Sequence, residues 1–239
     1  MHPNYVMPEW VKTRVLNRQG KLVAHDSIEA ARSALVVIDM QNYFVAENFP
    51  GSVPNSRDIV LPINRMARAM RATGGTVIWV QTTATDALQY WGNHHKYQLT
   101  AERVAKRLAG LAEGSEGYQV YPKLEVLPTD LRVKKMKYSA LIPESGTLFD
   151  ELKKRNIESV LITGTATNVC CESTARDAML LDFRVVMLSD GNATWTDEEQ
   201  NATLNNCALF FGDVLTADEA IARLVPISGQ VPLPQRKTA

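Results

Sequence analysis

Four short runs constrain this chain more than any other feature: ALVVIDM (34–40), TVIWVQT (76–82), SVLITG (159–164) and RVVMLSD (184–190). Each is almost continuously apolar and rich in β-branched residues, the pattern of a strand buried on both faces. Such a strand needs a layer above the sheet and another below it. Helix-patterned stretches lie between and after the runs, at 57–73 (stopped by Gly74-Gly75), 145–155, 168–182 and 197–210. RVKKM (132–136) and 211–215 add two strand candidates, and 101–111 and 217–224 two short helices. Strands alternating with helices predict a three-layer α/β/α, Rossmann-like domain around a six-stranded, mostly parallel sheet. Right-handed crossovers distribute the helices over both faces. Ligands in such sheets bind beyond the carboxyl ends of the strands, so Asp39, Thr82, Lys135 and the turn after Gly164 are the positions to inspect.

Composition bounds the function. Twenty-six basic residues balance 26 acidic ones, so no excess charge points to nucleic acid or an anionic membrane. The 239 residues suffice to bury roughly 72% of the unfolded surface, a full core without metal or disulfide staples. Cys170, Cys171 and Cys207 make no even disulfide framework and suit a reducing cytoplasm. No apolar run approaches the roughly 20 residues of a membrane span. A soluble, cytoplasmic protein is expected. Residues 1–33 read as an irregular N-terminal arm, 34–225 as the domain and 226–239 as a Pro-rich tail. The arm carries Tyr5, Val6, Trp10 and Val11, an apolar set that predicts a homodimer or homotetramer interface, unless the arm folds back on its own domain.

Three places carry chemistry. Asp39 ends an apolar strand, where a carboxylate is costly to bury unless it caps a turn or serves a site. KKMKYSAL (134–141) holds three lysines; strand alternation puts Lys135 and Lys137 on one face and does not choose between them. TGTATNVCCESTARDA (163–178) reads as strand, small polar turn and helix, with Thr167 or Asn168 as N-cap. Cys170 then falls in the first helical turn, where the helix dipole and free N–H groups favour a thiolate and can hold an oxyanion. Cys171 and Cys207 read as packing residues, and Glu172 and Arg176 as an i,i+4 pair.

Together VVIDMQ (36–41), K-x-x-Y-S-A (135–140) and G-x-A-T-N-V-C (164–170) followed by C-E-S-T-A-R-D resemble the isochorismatase-like cysteine hydrolases, over about residues 33–224. That family includes nicotinamidases, N-carbamoylsarcosine amidase, ureidoacrylate amidohydrolase and isochorismatase. The resemblance implies the isochorismatase-like hydrolase fold and an Asp39, Lys135, Cys170 triad, and so selects Lys135. It also implies a cis peptide at Thr165–Ala166 and an oxyanion hole of the Ala166 and Cys170 N–H groups. The activity implied is cleavage of a C–N bond in a small amide, carbamoyl or ureido substrate, with release of ammonia. Phe44, Thr82, Trp91, His94 and Tyr138 are the expected substrate contacts. The D-x-H metal motif of nicotinamidases is absent from QTTATDALQYW (81–91), and His94-His95 are adjacent, so no metal or other cofactor is expected. The asparagine and aromatic that ureidoacrylate amidohydrolases carry after the second strand correspond to Thr82 and Ala84. Vinyl-ether hydrolysis by Asp39 and a silent, ligand-binding relative are the alternatives; the cysteine argues against the first and the intact triad against the second.

Overall fold

The computed structural model describes residues 5–226. Six strands form one parallel sheet: β1 (Ser33–Ile38), β2 (Thr76–Thr82), β3 (Leu131–Lys135), β4 (Ser159–Thr165), β5 (Arg184–Ala193) and β6 (Asp213–Leu215). Their order across the sheet is β3-β2-β1-β4-β5-β6, and every pairing is parallel.

Near-continuous apolar strands still sort their side chains by parity, because successive Cβ atoms point to opposite faces. Ala34, Val36, Ile38, Ile78, Val80, Val160 and Ile162 join one core. Leu148 and Leu152 of α5 (Leu148–Lys154), Ala175 and Ala178 of α6 (Glu172–Leu180) and Leu204 of α7 (Asp197–Asn206) cover that face. Leu35, Val37, Val77, Trp79 and Leu161 join the opposite core. It is covered by Ile63, Met66 and Met70 of α2 (Val60–Ala72) and by Ala217 and Ala220 of α8 (Ala217–Ile221). The expected three-layer α/β architecture is the observed one, and the two cores place both sheet faces out of water.

After β1 the chain builds outward through β2 and β3, then returns to add β4 on the other side of β1. The crevice between the ends of β1 and β4 is therefore the topological switch point of the sheet. Gly164 makes the approach there possible. Its φ is +121°, and a Cβ at this position would lie 2.0 Å from the Ile38 carbonyl oxygen. β5 runs on to Ala193, past the expected end at 190, and pairs Asn192 and Ala193 with Gly164 and Thr165 across a register shift. The Asn192 amide fills the irregularity by donating to the Ile162 and Leu188 carbonyls at 2.8 and 2.7 Å.

The N-terminal segment departs from the sequence expectation. It contains a helix, α1 (Glu9–Gln19), closed by Gly20 at φ +79°. Val11 and Val15 are buried against Ala208 and Leu209, and the Tyr5 hydroxyl donates to Asn205 Oδ1 at 2.9 Å. Two inward residues spaced i,i+4 are a faint periodicity, which Trp10 and Leu16 on the outside obscure. This part of the arm folds back on its own domain, while Val6 and Trp10 stay exposed. Of the expected tail, residues 227–239 lie outside those described, and Leu224–Val225 pair with Ile28–Glu29 as a short parallel ladder. Among the described residues no helix is long and apolar enough to cross a membrane.

Candidate active site

Asp39 is the first residue beyond β1, at a left-handed φ of +56° that aspartate tolerates better than most residues. It is fully buried. Lys135 ends β3, is 1% exposed, and brings its ammonium 2.8 Å from Asp39 Oδ2. The same Nζ donates to Thr82 Oγ1 at 2.7 Å and to the Lys137 carbonyl at 3.1 Å, and lies 3.4 Å from Cys170 Sγ. An ammonium has three protons for these four neighbours, so the sulfur shares what the oxygens leave. The Thr82 hydroxyl, at the end of β2, in turn donates to Asp39 Oδ1 at 2.7 Å. Thr82 thereby closes a ring of aspartate, threonine and lysine. Its own backbone is pinned by Gln41, whose amide accepts from the Thr82 N–H at 2.7 Å and donates to its carbonyl at 3.0 Å.

The choice between the lysines is geometric. β3 stops at Lys135 and Met136 turns back, its N–H donating to the Ser145 carbonyl at 2.7 Å. The alternation that puts Lys135 and Lys137 on one face ends with the strand. Lys137 directs its ammonium to Glu144, 3.2 Å away.

Cys170 arrives from the other side of the switch point. The Thr165–Ala166 peptide is cis, as the resemblance implies, and Thr167–Cys171 form a wide π-helical turn ahead of α6. Neither Thr167 nor Asn168 caps this turn, in contrast to the sequence expectation. Thr167 Oγ1 donates to Gln200 Oε1 at 2.6 Å, and Asn168 Oδ1 accepts from Thr194 Oγ1 at 2.7 Å. Both side chains anchor the turn to the segments around α7 instead. The Thr174 hydroxyl bonds the Cys170 carbonyl at 2.7 Å and receives the Ala140 N–H at 3.2 Å, joining α6 to the loop after β3.

Electrostatics correct a second expectation. Burial is the largest influence on Cys170 and pushes its thiol up to about 12, with Lys135 opposing and Asp39 adding to the rise. The resting sulfur is a thiol rather than the thiolate that the helix-start position suggests. Burial opposes the charge of Lys135, but Asp39 and Cys170 outweigh it and hold the ammonium above its ordinary value. The resting site at neutral pH is thus a neutral thiol beside a lysine ammonium, and that ammonium is ion-paired with Asp39.

Asp39, Thr82 and Cys170 form the floor of a pocket of about 430 Å³, a size suited to a small molecule, with Lys135 buried behind them. Phe44, Thr82, His94 and Tyr138 line it; Trp91 does not. Trp91 stands behind His94 of α3 (Gly92–Tyr97), stacked on its ring at 3.9 Å, and meets Tyr138 edge-on at 4.7 Å. Thr82 spends its hydroxyl within the ring already described rather than presenting it to a ligand. Burial holds His94 below its ordinary value, so its imidazole is neutral at pH 7, with Nδ1 3.0 Å from Gln98 Oε1. His95 Nδ1 lies 3.0 Å from the Trp91 carbonyl. Among the described residues no three His, Cys, Asp or Glu side chains gather as metal ligands would.

Sequence reasoning missed Tyr43, Trp195 and the α4 (Ala101–Gly110) residues Arg103, Lys106 and Arg107, all on the pocket wall. The Arg103 and Arg107 spacing of i,i+4 was visible, but nothing in it says which way the helix faces.

The isochorismatase domain family model matches residues 33–219. The chain is 32% identical over 214 residues to the ureidoacrylate amidohydrolase RutB of Variovorax paradoxus, with 84% of each chain covered. It is 32% identical to the RutB of Pseudomonas savastanoi pv. phaseolicola over 236 residues, 92% of this chain and 94% of the relative. Among solved structures, a cysteine hydrolase from Pseudomonas syringae pv. phaseolicola superposes with a TM-score of 0.73 at 28% identity, covering 82% of this chain and 94% of the other. N-carbamoylsarcosine amidase from Thermoplasma acidophilum shares the fold, with a TM-score of 0.61 at 22% identity over 78% of this chain and 97% of the other.

Proposed function

The chain belongs to the isochorismatase-like cysteine hydrolase family and is a hydrolase of carbon–nitrogen bonds other than peptide bonds, and on that premise we propose a cysteine-dependent amidohydrolase that releases ammonia from a small amide, carbamoyl or ureido substrate. The observation that carries this reading is Lys135 Nζ, 2.8 Å from Asp39 Oδ2 and 3.4 Å from Cys170 Sγ, buried beneath the Asp39 and Cys170 that line the pocket.

Each residue has a role. The substrate carbonyl sits against Cys170 between the walls of Phe44, His94 and Tyr138. Because the resting sulfur is a thiol, its proton passes to Asp39 as Sγ attacks the carbonyl carbon, and Lys135 holds both charges during the transfer. The tetrahedral oxyanion is received by the Ala166 and Cys170 N–H groups. Asp39 then protonates the departing nitrogen, and the C–N bond breaks to leave a thioester, or a thiocarbamate where the substrate is a urea. Water, deprotonated by Asp39, attacks that carbonyl; the C–S bond breaks and Cys170 recovers its proton. Every step uses Asp39 as acid or base in turn, and none needs a second titrating group.

The experiment is ammonia release across ureido acids, carbamoyl amino acids, amic acids and nicotinamide, with mass spectrometry of the quenched enzyme. A substrate-dependent mass increase on the Cys170 peptide is expected; turnover by Cys170→Ala near the wild-type rate overturns the reading. Three unbridged cysteines support action in the reducing cytoplasm. Exposed Val6, just before α1, and Trp10, on it, support a homo-oligomer, for which light scattering is expected to give a multiple of 26.6 kDa.

A further inference from the structure

One ring in the pocket wall is gripped on both edges. Tyr43 lies in the helical turn Asn42–Val45 that follows β1, and its N–H donates to the Gly117 carbonyl at 2.9 Å. It is 5% exposed and lines the pocket. A Cβ at Gly51 would overlap Cδ1 of the ring at 2.7 Å, and one at Gly110 would overlap Cδ2 and Cε2, on the opposite edge, at 2.6 Å. Neither glycine has a left-handed φ, so what each contributes is the missing side chain. Gly110 closes α4, where alanine is the better helix former; glycine there serves the ring and not the helix. Phe44 meets the ring edge-on at 5.0 Å and Phe49 at a tilt at 6.2 Å. A ring held on both edges cannot move off one neighbour without striking the other, so Tyr43 is a fixed part of the wall.

A second cavity lies beyond it. A surface groove of about 550 Å³ runs past Phe49, Pro50, Lys106, Ala109 and Gly110. It shares Pro50 and Lys106 with the pocket, whereas Phe49 and Gly110, which lie against the Tyr43 ring, belong to the groove alone. Tyr43 therefore stands where the two cavities meet. The chain that carries it leaves β1 through Asp39, which ties the wall rigidly to the reacting end.

We propose that the Tyr43 ring is the end wall of the pocket and sets the length of substrate the enzyme accepts. The proposal rests on the amidohydrolase reading for the end of the substrate that lies at Cys170, and on the glycine socket of Tyr43 for the length. Methylene groups added remote from the carbonyl run into a ring with no room to give. One methylene too many is worth about tenfold or more against a substrate. With the ring removed, the pocket opens into the groove, where Phe49, Pro50 and Ala109 offer apolar surface to a longer chain. The hydroxyl of Tyr43 has no part in this selection; the ring does.

The test uses two homologous series, the monoamides from succinamate to pimelamate and the alkylureas from propylurea to hexylurea. In the wild-type enzyme kcat/KM is expected to peak within a series and to fall about tenfold or more for the next methylene. Tyr43→Leu is expected to move the peak to a longer member in each series that is hydrolysed. Tyr43→Phe, which keeps the ring and drops the hydroxyl, is expected to leave the peak where it is. Tyr43→Met fills the socket with a flexible chain and takes the place of Tyr43→Leu if that variant does not fold. A second arm needs no turnover. The same series are titrated calorimetrically into Cys170→Ala, with and without Tyr43→Leu. A binding maximum that lengthens with Tyr43→Leu supports the wall even if every member proves inert and the amidohydrolase reading fails. Hydrolysis indifferent to chain length, a peak unmoved by Tyr43→Leu and Tyr43→Met, or a peak that Tyr43→Phe moves as far, overturns the wall and leaves the amidohydrolase standing. Absence of binding by every member to Cys170→Ala overturns the wall as well.

Discussion

Two π-helical turns in this protein each bury a cysteine in the same core, and only one of them faces the pocket. Thr167–Cys171 leads from β4 into α6, and Cys207–Phe211 leads from α7 towards β6. Cys170 and Cys207 are 7% and 3% exposed, so solvent does not separate them. Burial raises both thiols, as it does any thiol in an apolar setting. What differs is the charge delivered from elsewhere. Cys170 has the Lys135 ammonium at 3.4 Å. Near Cys207 the carboxylates of Asp213 and Glu172 raise the thiol further, and Arg176 opposes them only in part. Those groups are already engaged, Asp213 with His25 at 2.9 Å and Glu172 with Arg176 at 2.5 Å. A buried cysteine in a π-helical turn is therefore not by itself a nucleophile. What sets Cys170 apart, and on the proposed function makes it the nucleophile, is that strands β1 and β3 bring a carboxylate and a cation to the same sulfur.

The sharpest way to break this comparison is to remove each sulfur. Cys170→Ala is expected to lose at least about 10³-fold in kcat, the scale seen when a covalent nucleophile is deleted. Cys207→Ala is expected to turn over within about twofold of wild type and to lose stability, by about 1 kcal/mol for a small buried side chain. Comparable activity losses in the two would sink the distinction.

The cation comes next. Lys135→Met is expected to cost at least about 10²-fold in kcat, as loss of a preorganised charge typically does. It also strands a buried Asp39, so the melting temperature falls with it. Lys137→Met, whose ammonium lies on Glu144, is expected to keep kcat within a few fold. Equal behaviour of the two lysine variants would mean that the wrong one has been placed at the sulfur.

Thr82 tests whether the ring around Asp39 matters beyond the ion pair. Thr82→Val removes a hydroxyl bonded to two charged groups and is expected to cost about ten- to a hundredfold in kcat. Thr82→Ser restores the hydroxyl and is expected to recover most of it. A Val variant as active as the Ser variant would reduce Thr82 to packing.

The smallest effect concerns the resting proton. With the thiol pushed up to about 12, the thiolate fraction rises with pH throughout the accessible range. Iodoacetamide labelling of Cys170, followed by mass spectrometry, is expected to quicken about tenfold per pH unit from 7 to 10 with no plateau. A plateau below pH 9 would reveal a preformed thiolate and move the first proton transfer ahead of substrate binding.

Much of this was legible in the residues alone. Continuous β-branched runs suffice to place four of the six strands within a few residues, because a sheet covered on both faces leaves its inner strands few polar positions. A motif set read in order pointed to Asp39, Lys135 and Cys170 at three separate strand ends. Other features were not legible, each for the same reason. α1 is a helix because Val11 and Val15 find Ala208 and Leu209, nearly two hundred residues on. Thr167 and Asn168 leave the cap they suit because Gln200 and Thr194 offer better-placed partners. Thr82 becomes part of the charge ring, Trp91 retreats behind His94 and Arg107 turns to the pocket through contacts between segments distant in sequence. Strand periodicity and turn chemistry are local, so the sequence states them outright. The charge state of a sulfur and the wall of a pocket are sums over neighbours that only the folded chain brings within 4 Å of each other.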